Sequence, residues 1–372
     1  MKVGILTFHR AANYGAVLQS YALVQALRLY GCNAEIIDYR CKFIEDYYNP
    51  KMLLLPKNWK RLIYYILFNG VIIPHRENYY SFLLQNNVLS EQVYKSQNEL
   101  KGNEYYYDSI IAGSDQVWNY ATAGFDKVYF LKFVADSCKK KSYAASFGIS
   151  KIPDNIKEEY RSLLSSFSNI SVRETSGKAI VEDLLNREAS VDLDPTLLLD
   201  DKKWKKVIKN VRPEIMNLDK YLLVYAISEN QNLLKIANII AKEKQLNVVY
   251  INNRWRKNPG VLNISYASVD EWLYLFSKAT FVVTDSFHGT AFSINFDIPF
   301  CTYQANSTKI GSRIDSLLSI LELKNRIVVK DDSGFNSKLF DSTLYIKPNR
   351  CFELSILRAK SIANLKKIMG EE

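Results

Sequence analysis

The sequence has few of the residues that build disulfides, metal centres or nucleotide-binding loops. Its 372 residues include 5 cysteines and 3 histidines, and no two cysteines form a CxxC pair. Scattered single thiols fit a reducing compartment, and so few histidines offer little for a metal, so no metal site is expected. The absence of Gly-x-Gly-x-x-Gly and Walker patterns also disfavours a standard dinucleotide or P-loop site.

Long apolar runs are equally scarce. The first run, Lys2–Phe8, stops at His9 and Arg10 and is too short for the core of a signal peptide, which predicts a cytoplasmic protein. The stretch Leu62–Ile73 is mostly apolar and has basic flanks, but it is too short to span a bilayer. A buried core helix is the favoured interpretation of this stretch, and the alternative is a helix lying at the inner membrane face.

The charge balance is basic, with 49 Lys and Arg against 39 Asp and Glu and a net charge of +10. Such an excess suits anionic partners, which include phosphorylated metabolites, nucleic acid and acidic membrane surfaces. The densest basic run, Asp200–Arg212, carries apolar residues at helical spacing, so a solvated helix face is favoured over a binding stripe. These apolar residues are Trp204, Val207, Ile208 and Val211. Because no helix-turn-helix, zinc-finger or RRM signature is present, no nucleic-acid partner is expected.

Strand-like and helix-like segments alternate along the chain. The apolar run Lys2–Phe8 predicts a buried strand, Tyr14–Gly31 has helical spacing with a terminal glycine, and Ala34–Tyr39 predicts a second strand. Strand, helix and strand in this order form a βαβ unit and imply a parallel sheet. We therefore predict an α/β protein with two Rossmann-like domains, whose ligands lie at strand carboxyl ends in an interdomain cleft. The predicted domains are 1–200 and 215–345, followed by a C-terminal helix at 346–372 that could pack back on the first domain.

Small polar residues follow several of the predicted strands. His9, Arg10 and Asn13 come after the first strand and directly before a helix, whose N-terminal N–H groups suit an anion. Asp115 follows another strand, within the run "AGSDQVWN". It either caps the next turn or acts as a general base beside a sugar hydroxyl, and the residues alone leave both open.

The segment Thr280–Phe300 gives the sharpest candidate. A buried strand runs into Asp285, Ser286 and Phe287, and a helix opens around His288, Gly289 and Thr290. His288 would project from the first turn of that helix, where the helix dipole favours bound anions. Because it is one of three histidines and stands at a strand end, a functional role is favoured over a structural one.

Cations at two other places could contribute to an anion site. Arg173 stands at the end of a further predicted strand, where its guanidinium could bind a carboxylate or phosphate in a bidentate manner. Lys309 and Arg313 lie near a predicted helix start. Each of these side chains alone would be interpreted as a surface charge.

The ordered set of these motifs resembles the polysaccharide pyruvyl transferase family. The resemblance implies a fold similar to the GT-B glycosyltransferases and a transfer of the enolpyruvyl group of phosphoenolpyruvate onto a sugar, forming a cyclic pyruvate ketal. Phosphoenolpyruvate would be a co-substrate, and no cofactor or metal is implied. The matching segments are Gly4–Leu23, Ala112–Asn119, Tyr143–Gly148, Ser171–Gly177, Asp194–Leu199, Val282–Ile294 and Gly311–Leu318.

The resemblance also implies residue roles, with the acceptor bound by the first domain and the donor by the second. His288 matches the family's donor-site histidine and would bind phosphate and donate a proton, while Asp115 would act as base. Some members carry Arg two residues before this histidine, where Ser286 stands here, so a second donor cation must come from elsewhere. The remaining donor contacts would be Arg173, Ser286, Gly289, Thr290, Arg313 and Lys309, and the acceptor contacts His9, Arg10, Asn13, Ser114 and Gln116.

Two other functions fit the same architecture. A glycosyltransferase would bind a nucleotide sugar in the second domain, although no carboxylate pair there is clearly placed to hold a ribose. A non-catalytic subunit of a polysaccharide-assembly complex would tolerate substitutions at His288 and Arg173, and the Leu62–Ile73 segment would dominate its function. If the acceptor is a lipid-linked oligosaccharide, the net positive charge would assist docking at the membrane face.

Overall fold

The chain is divided into two compact units. The computed structural model describes residues 1–48, 76–227, 230–252, 257–304, 312–329 and 349–370. One unit comprises Met1–Leu198 together with Leu357–Glu372, and the other comprises Leu199–Ile356. The Leu62–Ile73 segment lies outside the described residues. Within the described ranges, no helix combines the length and the apolar character that a membrane crossing requires.

The first unit is built on a parallel sheet whose strand order is β3-β2-β1-β4-β5. Two further short strands, β6 and β7, pair in parallel and are joined to β5 by isolated bridges. The strands are β1 (Lys2–Leu6), β2 (Asn33–Tyr39), β3 (Leu89–Tyr94), β4 (Ser109–Ala112), β5 (Lys140–Ser142), β6 (Ser171–Val172) and β7 (Ser190–Val191). Because every strand is parallel, all carboxyl ends meet at one edge of the sheet.

Helices connect these strands, as the predicted βαβ pattern requires. They are α1 (Tyr14–Leu29), α2 (Lys42–Tyr47), α3 (residues 76–85), α4 (Gln97–Leu100), α5 (Asp154–Ser165) and α6 (Thr175–Leu185). The side chain of Asn13 accepts hydrogen bonds from the N–H groups of Gly15 and Ala16 and so fixes where α1 begins. Beyond Leu29 the chain turns at Gly31, whose φ of +82° is a left-handed value that glycine adopts without strain.

Aromatic packing anchors the loop that follows β4. The Trp118 side chain is fully buried, and its ring lies 5.3 Å from that of Phe147 and 5.4 Å from that of Phe167, measured between centroids. Its indole N–H donates to the carbonyl oxygen of Tyr129, so this polar atom is satisfied. The backbone just after β4 is therefore held by a buried side chain three residues beyond Asp115.

The second unit has a six-stranded parallel sheet with the order β10-β9-β8-β11-β12-β13. Its strands are β8 (Tyr221–Tyr225), β9 (Asn247–Asn252), β10 (Leu262–Ser265), β11 (Phe281–Thr284), β12 (Phe300–Gln304) and β13 (Ile327–Val329). Its helices are α7 (Asp201–Val207), α8 (Pro213–Met216), α9 (Gln231–Lys244), α10 (Val269–Lys278), α11 (Phe287–Asn295) and α12 (Ser312–Ile320). The predicted solvated helix is present as α7, with Trp204 fully buried, but it ends at Val207 and leaves Ile208 and Val211 outside.

A last helix, α13 (Asn349–Met369), begins in the second unit and continues into the first. The hydroxyl of Ser361 accepts a hydrogen bond from the Leu193 backbone N–H at 3.0 Å. The Arg358 guanidinium donates to the Leu197 carbonyl oxygen at 2.6 Å. These contacts fasten the end of the chain to the segment that follows β7.

A capping box begins α10, since the Ser268 hydroxyl accepts from the Glu271 N–H and the Glu271 carboxylate accepts from the Ser268 N–H. Replacing Ser268 with Ala should lower the free energy of unfolding by about 1 kcal/mol, because one helix N–H loses its partner. Urea denaturation measures this change. The control is Ser277→Ala in the last turn of the same helix, where no cap is lost, and equal losses in the two variants would contradict the capping role.

Candidate functional site

Polar side chains of the first unit gather where β1 and β2 end. His9 follows β1 and is buried, and its Nε2 lies 3.1 Å from Oδ1 of Asp38 on β2. The other ring nitrogen, Nδ1, lies 3.2 Å from the carbonyl oxygen of Thr7. Both nitrogens therefore face oxygen atoms within the first unit.

Two predicted acceptor contacts, His9 and Asn13, already have partners within the first unit. His9 is 1% exposed and both its nitrogens are engaged, so it joins β1 to β2 and presents no nitrogen to a sugar. The side-chain oxygen of Asn13 accepts the hydrogen bonds that cap α1. Arg10, in contrast, is half-buried, and its Nε lies 2.7 Å from Oε1 of Glu45.

Ser114, Asp115 and Gln116 form the turn after β4. The Ser114 hydroxyl is buried and donates to the Ala144 carbonyl oxygen, and it lies 3.4 Å from Oδ2 of Asp194. Asp115 has a φ of +75°, and its Oδ1 accepts from the Gln116 N–H at 2.8 Å. This hydrogen bond anchors the Asp115 side chain to the neighbouring backbone. Because the side chain is 14% exposed, it still reaches solvent. Ser114, a predicted sugar contact, thus contacts Ala144 and Asp194 within its own unit.

Arg173 occupies the centre of a buried charge cluster. Its guanidinium, 2% exposed, donates to Oδ2 of Asp194 at 2.7 Å and lies 3.8 Å from Oδ1 of Asp115 and 4.0 Å from Oε2 of Glu174. Burial opposes the charge, but these three carboxylates outweigh it and raise the pKa of Arg173. Arg173, a predicted donor contact, is thus enclosed and paired within its own unit.

The carboxylate of Glu174 accepts the hydrogen bonds of the turn that follows β5. Its Oε1 accepts from the Ser146 hydroxyl at 2.9 Å and from the backbone N–H groups of Phe147 and Gly148 at 2.9 and 3.2 Å. A Cβ on Gly148 would stand 2.1 Å from Oε1 of Gln116, so only glycine leaves room for that amide. The predicted site residue Gln116 is therefore packed against the Gly148 turn.

In the second unit, the predicted helix start at His288 is present. Helix α11 begins at Phe287, and the hydroxyl of Ser286 accepts from the Gly289 N–H as its N-cap. His288 lies in the first turn and is 8% exposed, with its ring 5.2 Å from that of Phe287. A Cβ on Gly289 would stand 2.4 Å from Oγ1 of Thr284, so glycine lets the helix approach the end of β11.

The other predicted donor contacts of this segment stabilise the turn. The Thr290 hydroxyl is fully buried and donates to the Ser286 carbonyl oxygen while pairing with the Thr302 hydroxyl at 2.7 Å. Ser286 uses its own hydroxyl as the cap. These hydrogen bonds fix the turn that carries His288, and they engage the predicted donor contacts Ser286 and Thr290.

Two cations were predicted near this turn. Arg313 is half-buried, and its guanidinium carbon lies 5.8 Å from the centroid of the Phe287 ring, so it stands beside the start of α11. Lys309 lies outside the described residues. Asp285, directly after β11, accepts from the Ile227 N–H at 2.8 Å, and burial raises the pKa of its carboxyl.

Sequence reasoning missed the partners of these residues. Asp38 and Asp194 take part in buried ion pairs of the first unit, yet one lies inside an apolar strand and the other precedes a proline. An aspartate within a buried strand was the available signal for the first, because such a charge needs a partner. Among the residues that the structure covers, no group of three His, Cys, Asp or Glu side chains is arranged to hold a metal ion.

Comparison with known proteins agrees with the sequence resemblance. The sequence model of the polysaccharide pyruvyl transferase family matches residues 13–304. A UDP-GlcNAc 2-epimerase from Neisseria meningitidis, solved with UDP-GlcNAc, is 10% identical and has a TM-score of 0.52 over 99% of both chains. The UDP-GlcNAc 2-epimerase of Methanocaldococcus jannaschii is 14% identical, with a TM-score of 0.51 over 97% of this chain and 99% of that one. No curated protein matches the sequence.

At these identities the likeness shows the fold alone. The predicted α/β class with parallel sheets is confirmed, and both neighbours belong to the GT-B class of folds.

The His9–Asp38 pair predicts a specific pH dependence of stability. Burial works against ionisation of Asp38, but the hydrogen bonds from His9 and Tyr80 and the charge of Arg40 outweigh it and lower the pKa of Asp38 from 3.8 to about 2. A lowered pKa in the folded state stabilises the protein above pH 3.8, and this contribution is lost as the pH falls through about 2. Asp38→Asn should therefore lose about 2 kcal/mol relative to wild type at pH 6 and much less at pH 2.

Urea denaturation of both proteins across that pH range measures the difference. Asp154→Asn is the matched control, because Asp154 is exposed at the start of α5. A stability gap between wild type and Asp38→Asn that stayed constant with pH would contradict the assigned pair.

Proposed function

The chain belongs to the polysaccharide pyruvyl transferase family, and we propose that it transfers the enolpyruvyl group of phosphoenolpyruvate to a sugar of a cell-surface polysaccharide or its lipid-linked precursor. The product would be a cyclic pyruvate ketal across two hydroxyl groups, and inorganic phosphate would be released. The observation that carries the proposal is the histidine-bearing first turn of α11, which lies inside the matched range.

The donor would bind at this turn of the second unit. The N-terminal end of α11 carries positive potential, and His288 and Arg313 both stand beside it. Phosphoenolpyruvate bears a phosphate and a carboxylate, and both are anions that a helix N-terminus with an imidazole and a guanidinium can hold. Arg313 would thus supply the second donor cation in place of the arginine that other family members carry at the position of Ser286.

The acceptor would bind at the carboxyl ends of β1 and β4 in the first unit. Asp115 is the proposed base, because its carboxylate is anchored to the Gln116 N–H and remains 14% exposed. Arg173 enters the proposal as a positioning residue, since it lies 3.8 Å from Asp115 and is itself fixed by Asp194. Gln116 and Arg10 are the remaining acceptor contacts that the geometry supports.

The proposed reaction balances without a further reactant. His288 donates a proton to the methylene carbon of phosphoenolpyruvate, which makes the neighbouring carbon an oxocarbenium-like electrophile. One sugar hydroxyl adds to that carbon and gives its proton to Asp115, after which the bond to phosphate breaks. The second hydroxyl then adds to the same carbon, and its proton leaves with phosphate or solvent.

Removal of the histidine tests the donor site. Phosphoenolpyruvate at 100 times its dissociation constant should stabilise the folded protein by about 2.7 kcal/mol, and His288→Ala should abolish the excess of this effect over that of inorganic phosphate. Thermal unfolding with each ligand measures it, and Lys278→Ala, an exposed change in the same unit, serves as control. Stabilisation by UDP or GDP alone would instead support the glycosyltransferase alternative, and no response to any ligand would favour the non-catalytic subunit.

Removal of the proposed base tests the chemistry. Asp115→Asn should lower kcat by about 100-fold or more while the KM for phosphoenolpyruvate changes little, because the base acts on the acceptor hydroxyl and does not bind the donor. Phosphate release and the ketal methyl signal in NMR spectra report the reaction. Asp154→Asn, an exposed carboxylate on α5, should leave kcat unchanged. Wild-type turnover in Asp115→Asn would remove this residue from the mechanism.

A further inference from the structure

Three arginines converge beyond the carboxyl ends of β1 and β2. Arg10 and Arg76 both donate to the carboxylate of Glu45, at 2.7 and 3.0 Å. The guanidinium carbons of Arg10 and Arg40 lie 4.1 and 5.6 Å from the centroid of the Tyr80 ring, so both cations stand against the same aromatic face or edge. We call Arg10, Arg40, Arg76, Glu45 and Tyr80 the arginine cluster.

The charges of this cluster do not balance. Glu45 is its only carboxylate, and hydrogen bonds and charges from the arginines lower the pKa of that carboxyl against the opposing effect of burial. Asp38 also contacts Arg40, at 3.4 Å, but its other oxygen is paired with His9, which faces acceptors on both ring nitrogens. Within ion-pair distance, three guanidinium groups therefore face the two carboxylates of Glu45 and Asp38, and an excess of one positive charge remains.

Donor groups in the cluster are also left over. Nη1 of Arg10 and Nε of Arg40 are buried, and neither has a hydrogen-bond partner within the described part of the chain. A buried donor without a partner costs free energy that a bound acceptor would recover. The side chains of Arg10, Arg40 and Arg76 are nevertheless 14%, 31% and 20% exposed, so a ligand can reach the cluster from solvent. Unpaired donors and surplus positive charge together describe a site for an oxyanion.

We infer that the arginine cluster binds the diphosphate group of a sugar diphosphate acceptor, an inference that rests on the proposed transferase function. Diphosphate offers the several acceptor oxygens and the multiple negative charge that this cluster lacks. β1 lies between β2 and β4, so the cluster at the end of β2 stands about 10 Å from the end of β4, where Asp115 follows. A sugar bound with its diphosphate on the cluster can therefore extend its ring toward the proposed base.

Binding of inorganic diphosphate tests the inference without any turnover. Isothermal titration should detect binding to the wild-type chain, and each of Arg40→Gln and Arg76→Gln should weaken it about tenfold. Arg40→Lys should restore part of the affinity, since it keeps the charge and loses the planar fork. Lys42→Gln is the matched control, because Lys42 lies on the adjacent helix α2, is 86% exposed and pairs with Asp46 alone. Absence of diphosphate binding by the wild-type chain would overturn the inference.

Two further measurements distinguish a diphosphate acceptor from the donor phosphate and from a phospholipid headgroup. If the arginine variants lose phosphoenolpyruvate binding as well, the cluster belongs to the donor and the inference is wrong. If they lose sedimentation with phosphatidylglycerol vesicles but keep diphosphate affinity, the cluster recognises a membrane surface, which also overturns it. Failure of the proposed function is distinguishable, because it appears as a missing phosphoenolpyruvate effect at His288 while the diphosphate affinity persists. Thermal unfolding of each variant confirms that it is folded.

Discussion

The buried ion pair between Arg173 and Asp194 holds together the edge of the first sheet where β4, β6 and β7 end. Asp194 accepts from Arg173 and Ser114 on one oxygen and from the backbone and hydroxyl of Thr196 on the other. Removing two charges from water is costly, and such a pair persists only when every remaining lone pair finds a donor. The network meets this condition at Asp194, and it thereby fixes the position of Asp115, whose backbone has an uncommon positive φ.

The polar turns at the sheet edges of the two units are stabilised by different kinds of side chain. The first unit uses charge, with carboxylates and cations enclosed in pairs. The second unit uses hydroxyl groups, since Thr284, Ser286, Thr290 and Thr302 exchange hydrogen bonds around the start of α11. Neutral hydroxyls leave the positive end of the helix uncancelled, whereas the internal carboxylate of Glu174 already occupies the N–H groups after β5. The two turns therefore differ in charge, because the turn after β5 already holds an internal carboxylate whereas the first turn of α11 is capped by a hydroxyl.

Much of the fold could be predicted, because buried parallel strands appear in the sequence as apolar runs and helix ends are marked by capping residues. The short strands β3, β10, β12 and β13 were not predicted, since a few residues of mixed character carry no distinct period. Candidate site residues were predicted from their place after strands, but their partners could not be identified from local sequence. Arg173 and Asp38 look like surface charges or ligands until the folded chain brings Asp194 and His9 beside them, and only tertiary packing decides that.

The course of the chain has a consequence for how the first unit is made. The side chains of Ser190 and Asp192, in and just after β7, accept from Asn364 of α13, which is synthesised after the whole second unit. Until the ribosome has released α13, these acceptors have no protein donor from that helix. The first unit therefore reaches its complete hydrogen bonding last although most of it is translated first, and a chain cut after the second unit would lack part of the first.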